Sequence, residues 1–393
     1  MKSAATPNRV VAIIVITFIV FGAWWISRPA PSPFTLQARW DLQGSVHGVA
    51  FSPKGDLLSV LVHIAPPVDR LVMTFWQVPE GKPVYQNIVV GHKPKVFYWR
   101  PISFSPDGQF CAVGYHEQGL SKVVVFSVAN GHRVRTIAMG KGDLASVTFA
   151  PDGKKLAFIY DDRVWFVDVA SGQKTKTNIV SWFFVFSPDA QFIASNVPAS
   201  ETVDIYDAGG RHIRQLRVNR PSSIFSLYAA TFSKDGQRLL CVWREGWMPS
   251  GRVEKFRKWI FIWRTKDWML EQSLPLTPYY HPYVVPATGS PVDISSEGAI
   301  VALAEPRLSD LKWALWQGEQ FISRFIKFLK IPEPPILPNQ VSIRQIANGQ
   351  LITKLQRFGI YVTHCAFSPD GHHLAVVYED KHGNGKVAIW RIR

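Results

Sequence analysis

"LASVTFAPDGKKLAFIYDDRVWFVDVASGQKTKTNIV", Leu144–Val180, is the stretch from which the fold is read. Its apolar run Leu144–Phe149 ends at Pro151-Asp152-Gly153, where Pro fixes φ and Asp-Gly supplies the bend. A second run, Leu156–Tyr160, reaches Asp161-Asp162 and gives way to a third, Val164–Val169. Ser171-Gly172 then turns the chain into Gln173–Val180. Four short runs separated by turn chemistry predict a four-stranded antiparallel meander.

The same turn recurs along the chain. It reads FSPKG from Phe51, FSPDG from Phe104, FAPDG from Phe149, FSPDA from Phe186, FSKDG from Phe232, ISSEG from Ile294 and FSPDG from Phe367. The steps are 53, 45, 37, 46, 62 and 73 residues, so a repeat carries insertions late in the chain. A second marker ends each third strand. It reads FWQVPEG from Phe75, FSVANG from Phe126, VDVASG from Val167 and IYDAGG from Ile205, then IWRTKD from Ile262, IRQIANG from Ile343 and IWRIR from Ile389. Two series of seven in step predict seven blades.

Gly91-His92 ahead of a strand and FSPDG, followed by an aromatic-x-V-x-x-G strand end, resembles the WD-repeat β-propellers. The resemblance covers everything after residue 35 and implies an all-β, seven-bladed ring that serves as a protein-interaction scaffold. The Trp-Asp pair is split in this chain. Asp survives at Asp168 and Asp207, and Trp precedes that position only at Trp76, Trp263 and Trp390. The family's buried polar network is therefore depleted, and apolar packing must replace it. The third unit is also similar to TolB-type propellers, which share the turn and imply a ligand-binding or enzymatic alternative. The last unit stops after its third strand, while Phe34–Leu42, "FTLQARWDL", is a surplus fourth strand. Pairing of the two would seal the ring and protect its sheet edges.

Composition agrees with a large folded core. Of 393 residues 47% are hydrophobic and only 19% charged, and the 15 Trp with many Pro and Gly suit short strands. The net charge of +15 favours anionic partners or surfaces. Cys111, Cys241 and Cys365 lie singly in apolar runs and read as small buried hydrophobes.

Val10–Ile26 holds seventeen residues without a charge, preceded by Lys2 and Arg9 and ending beside Trp24 and Trp25. That pattern predicts a transmembrane signal-anchor at 10–26 after a cytoplasmic tail at 1–9, with a Pro-rich linker at 27–33 and the propeller at 34–393 on the extracytoplasmic side. A cleaved signal peptide is the alternative.

Three long insertions break the rhythm: 244–258, 275–291 and 306–340. By the family's arrangement all three leave from one face. They supply the candidate partner-binding residues Arg244, Arg252, Lys255, Arg257 and Lys258, then Tyr279 and Tyr280, then Arg324, Lys327 and Lys330. In the last insertion Ile322, Phe325, Ile326 and Leu329 follow helical spacing, which predicts a basic amphipathic helix that either docks on the ring or binds a partner.

The sequence contains no HExxH, CxxC, GxSxG, P-loop or GxGxxG pattern, and its eleven His are scattered. No catalytic residue, metal or cofactor is expected. Basic and aromatic residues interleave at Arg252–Trp268, but a strand reading accounts for them and nucleic acid is not the expected partner. The expectation is a membrane-anchored, non-enzymatic interaction scaffold. An envelope enzyme with a site in the central channel or under the insertions is the alternative.

Overall fold

The computed structural model describes residues 32–85, 88–92, 94–95, 101–197, 200–218, 224–247, 255–275, 292–305, 340–356, 358 and 361–393. The predicted anchor at 10–26 lies outside them, as do the amphipathic stretch and most of the three insertions. Among the described residues no helix is long and apolar enough to cross a membrane.

Leu144–Val180 folds as its turns dictate. Strands Leu144–Phe149, Lys155–Tyr160, Arg163–Asp168 and Lys174–Val180 pair in sequence order as blade 3. Asp161 and Asp162 both take left-handed backbone, φ 48° and 58°, as a two-residue hairpin with the right twist requires. Blade 4 repeats the plan with Phe183–Phe186, Phe192–Asn196, Thr202–Asp207 and His212–Arg217. Blade 5 uses Ile224–Phe232, Arg238–Trp247, Lys255–Arg264 and Met269–Pro275, and blade 6 uses Val292–Ile294, Ile300–Glu305, Gln340–Gln345 and Leu351–Leu355. Blade 1 holds Ser45–Phe51, Leu57–Ile64 and Arg70–Gln77, with its outer strand split into Lys82–Pro83 and Ile88–His92. Blade 2 holds Ile102–Phe104, Phe110–Glu117, Leu120–Ser127 and Arg133–Gly140, with Pro94–Lys95 also pairing its second strand.

Tyr361–Phe367, His373–Glu379 and Gly385–Ile392 form blade 7, and Phe34–Asp41 completes it. The register runs from Phe34 opposite Ile392 to Asp41 opposite Lys386. Lys386 Nζ adds an ion pair to Asp41 at 2.6 Å. The two chain ends thus share one sheet, as the surplus strand required.

Hydrophobic packing runs round the ring. Seven buried clusters occur, one between each pair of neighbouring blades. The cluster between blades 4 and 5 is built on Trp243, Trp259, Phe261 and Trp263. The one joining blade 7 to blade 1 sets Val377 and Ile389 against Val46 and Val60, with Trp40 stacked on Trp76 at 5.0 Å. Apolar burial has taken the place of the depleted polar network. Trp76 Nε1 reaches only Thr74 on its own strand, at 2.8 Å, and the Trp390 indole N–H is buried without a protein partner.

The repeated turn has its own chemistry. The buried Ser after the aromatic donates to the turn Asp, as in Ser187–Asp189 and Ser233–Asp235, both 2.6 Å, and accepts the amide five residues on. In blade 1, where Lys54 stands at the Asp position, Ser52 turns to Asp56 instead, at 2.6 Å. The Ser hydroxyls hold Asp107, Asp189 and Asp235 below the usual carboxylate range. The last turn position needs left-handed backbone. Gly fills it at Gly108 (φ 73°) and Gly371 (φ 76°), whereas blade 4 places Ala190 there at φ 57°. Ala190→Gly is therefore expected to stabilise the protein by about 0.5–1 kcal/mol, because the Cβ strain outweighs the added chain entropy. A higher midpoint in urea unfolding at unchanged slope is the check.

Candidate functional site: the channel and the insertion face

The innermost strands of most neighbouring blades touch, and their side chains stitch the ring. Ser103 Oγ accepts the Phe149 amide at 3.1 Å, and Asp293 Oδ2 accepts the Phe367 amide at 2.7 Å. Strands of blades 1, 2, 6 and 7 enclose a cavity of about 200 Å³ lined by Gly48, Pro101, Asp293, His364 and Cys365 among others.

His364 lines this cavity, and His47 stands beside it on the first strand of blade 1. Blades 1, 5 and 7 each carry a register shift four residues before the turn aromatic, with His47, Tyr228 and Thr363 as the extra residues. Such bulges re-aim side chains. His47 Nε2 lies 3.4 Å from Ser45 Oγ, and its ring is 5.9 Å from that of His63, which meets Asp69 Oδ1 at 2.9 Å. Burial, and secondarily His63, lowers the His47 pKa to about 4. Burial, and then His47, lowers that of His364 to about 4, against a hydrogen bond to the His47 backbone. Both imidazoles are neutral at pH 7 and too weakly basic for proton abstraction there. The Ser45–His47 pair is thus a poor nucleophile–base couple. Among the described residues no group of three His, Cys, Asp or Glu is spaced to hold a metal. Sequence reasoning passed over these histidines, whose only signal is a polar residue inside a first strand.

The three cysteines are free and buried, as expected. Burial pushes the Cys111 thiol up to about 12 and raises Cys241 and Cys365 as well, so none is a nucleophile.

The insertion residues fare unevenly. The predicted loop 244–258 is mostly a longer hairpin: Arg238–Trp247 pairs with Lys255–Arg264, Arg244 opposite Lys258 and Trp247 opposite Lys255. The continuing apolar alternation through Trp259, Phe261 and Trp263 carries the strand outward. Lys258 corrects the expectation of an exposed contact. It is 3% exposed, and its Nζ donates to the Ala304 carbonyl of blade 6 at 3.2 Å. Arg244, Lys255 and Arg257 lie on these strands, their side chains outside the described residues. Arg252, Tyr279, Tyr280, Arg324, Lys327 and Lys330 lie wholly outside them. The flanking strand ends are placed, however. Trp247, Lys255, Pro275, Val292, Glu305 and Gln340 all bound connections at the end opposite the FSPDG-type turns.

The family model described as WD domain, G-beta repeat, matches residues 349–391. That span runs from the outer strand of blade 6 through three strands of blade 7, the staggered unit whose missing last strand Phe34–Asp41 supplies. The Cps50 (Swd1) β-propeller domain of Myceliophteria thermophila superposes with TM-score 0.60 at 16% identity, covering 92% of this chain and 100% of that one. The chain is a seven-bladed β-propeller with a WD repeat at its closing blade. The fold is also matched by hydrazine synthase of Kuenenia stuttgartiensis, TM-score 0.58 at 18% identity, covering 89% of this chain and 96% of that one. A search of curated protein sequences finds no match. WD-type propellers commonly mediate protein–protein interaction, and the fold by itself fixes no chemistry.

Proposed function

We propose that this propeller is a non-enzymatic scaffold, held to a membrane by the apolar segment 10–26 on the extracytoplasmic side, that binds a protein partner through its insertion face. The observation carrying this reading is that the strands flanking all three insertions finish at one end of the ring, while the described connections between strands at the other end are tight turns. Loops on a rigid frame are where binding residues concentrate. The neutral, weakly basic channel histidines and the high-pKa thiols favour a scaffold over an enzyme.

The test is an alanine block at Arg252, Lys255 and Arg257 in the full chain, with buried Lys258 left intact. Loss of a co-purifying protein at unchanged thermal midpoint is expected. Retention of every partner, or turnover of an envelope substrate by the purified protein, would overturn the reading.

A further inference from the structure

The positive charge of the described ring is unevenly placed. On the outer strands of blades 2, 3 and 4 stand Arg133 and Arg135, Lys174 and Lys176, and Arg214 and Arg217, with no carboxylate on any of the three strands. The other outer strands lack this bias: Phe34–Asp41 offsets Arg39 with Asp41, Met269–Pro275 carries Glu271, and Leu351–Leu355 has only Lys354. Lys and Arg on edge strands guard against aggregation. That role applies equally to every blade and does not explain a cluster on three neighbours.

Much of the charge is held in place by backbone carbonyls, with Asp168 close enough to Arg135 for their charges to interact. Arg133 donates to the Val90 carbonyl at 3.1 Å, Arg135 to Ala170 at 2.6 Å and Arg214 to Asp267 at 3.0 Å, all on neighbouring blades. Lys174 donates to Ala138 at 2.5 Å. Asp168, Asp204 and Asp207 belong to the third strands and their turns; Asp207 is paired with Arg211, and Asp204 meets His212 of the outer strand at 3.1 Å. Between blades 3 and 4 opens a cleft of about 400 Å³, lined by Lys155, Lys176, Thr175, Asn178, Asp168 and the Gly209-Gly210 turn. Val134 and Ile213, 55% and 41% exposed, sit among the cations.

The position along the strands is informative. Arg133 and Lys174 open their strands at the end of the FSPDG-type turns, with Arg135, Lys176 and Arg214 two residues in, whereas Arg217 closes its strand at the other end. The amide of Val128, just before blade 2's outer strand, bonds Gln109 of that turn at 2.8 Å. Phe34, where the chain enters the ring, begins its strand at this end too, on blade 7, across the ring from blades 3 and 4. A seven-residue linker at 27–33 reaches at most about 25 Å.

We propose that the outer strands of blades 2–4 form a cationic face that rests on anionic lipid headgroups, with a phosphate accommodated in the cleft at Lys155 and Lys176. This inference rests on the anchoring reading, since the tether brings this end to the bilayer. A tether on blade 7 and a cationic contact across the ring together hold the turn face down and the insertion face outward. Each Lys or Arg near an anionic surface contributes about fivefold in partitioning.

The test uses the full chain in nanodiscs of phosphatidylcholine alone or with phosphatidylglycerol. An environment-sensitive dye is placed at Thr136→Cys or Thr175→Cys, both exposed, while the three native thiols are buried. The expected result is headgroup-quencher contact only in phosphatidylglycerol discs, abolished by high salt in the unsubstituted background. Substituting Arg133, Arg135, Lys174 and Lys176 by Gln should weaken it by about 600-fold. Equal signals in both lipids, or contact insensitive to salt and to substitution, overturn the proposal. So does loss of a co-purifying protein in the Gln variant without any lipid signal, which assigns the face to an acidic protein. Extraction of the chain by alkaline carbonate would sink the anchor reading alone. The face is then judged by co-sedimentation, where binding to phosphatidylglycerol vesicles and not to phosphatidylcholine ones supports it and no binding to either ends it.

Discussion

Removing the residues up to Asp41 is expected to abolish cooperative unfolding of the whole ring. Phe34 is 4% exposed in the sheet with Ile392, and Trp40 covers Trp76. Each buried aromatic contributes about 2–3 kcal/mol, their stacking about 1, and each lost ladder hydrogen bond about 1. The total, on the order of 5–10 kcal/mol, matches the stability of an entire domain. Urea unfolding of the full chain and of a chain beginning at Leu42 makes the comparison. The account expects the shorter chain to lose its single transition or to unfold at far lower denaturant. Unchanged midpoint and slope would mean that the ring does not depend on this strand.

Acid should weaken the fold in a window set by the channel histidines. Folded, His47 and His364 titrate near 4, against an ordinary value of 6.5. Between those values the unfolded chain binds protons that the folded chain refuses, so stability falls as pH drops from about 6.5 towards 4. Below that it levels off, because the folded imidazoles protonate too. A depression of this size corresponds to at most about 3 kcal/mol per histidine. The turn carboxylates do not blur the window. Asp107, Asp189 and Asp235, held low by their Ser partners, keep their contribution until the pH falls further still. Thermal midpoints across pH 4–7 should therefore slope in the native protein and slope less in His47→Gln/His364→Gln, where His373, also lowered by burial, remains. Parallel slopes would place the titration elsewhere.

Blade number, strand order and ring closure were legible in the sequence because each is written locally. Asp161-Asp162 makes its hairpin from two residues that tolerate positive φ, and "FTLQARWDL" announces an outer strand by its pattern alone. The channel was not legible. His47 and His364 become neighbours only when blade 7 closes against blade 1, and the bulges that re-aim the first strands leave no mark in an apolar pattern. Lys258 failed for a related reason. A basic cluster read as loop is in part a strand, and the next blade's Ala304 carbonyl claims the ammonium. The cationic face on blades 2–4 was visible as charge, but only the ring shows that three separate strands present it side by side.

The central claim is that one end of this propeller meets a protein partner and the other does not. Site-specific photocrosslinking in native membranes tests it most directly, with the photoreactive residue at position 252 or 324 of the insertion segments, or at Lys154 or Gln191 on the turn face. The account predicts discrete protein adducts from 252 and 324 and none from 154 and 191. Protein adducts of equal yield from the turn face, or none from the insertion face, would contradict it.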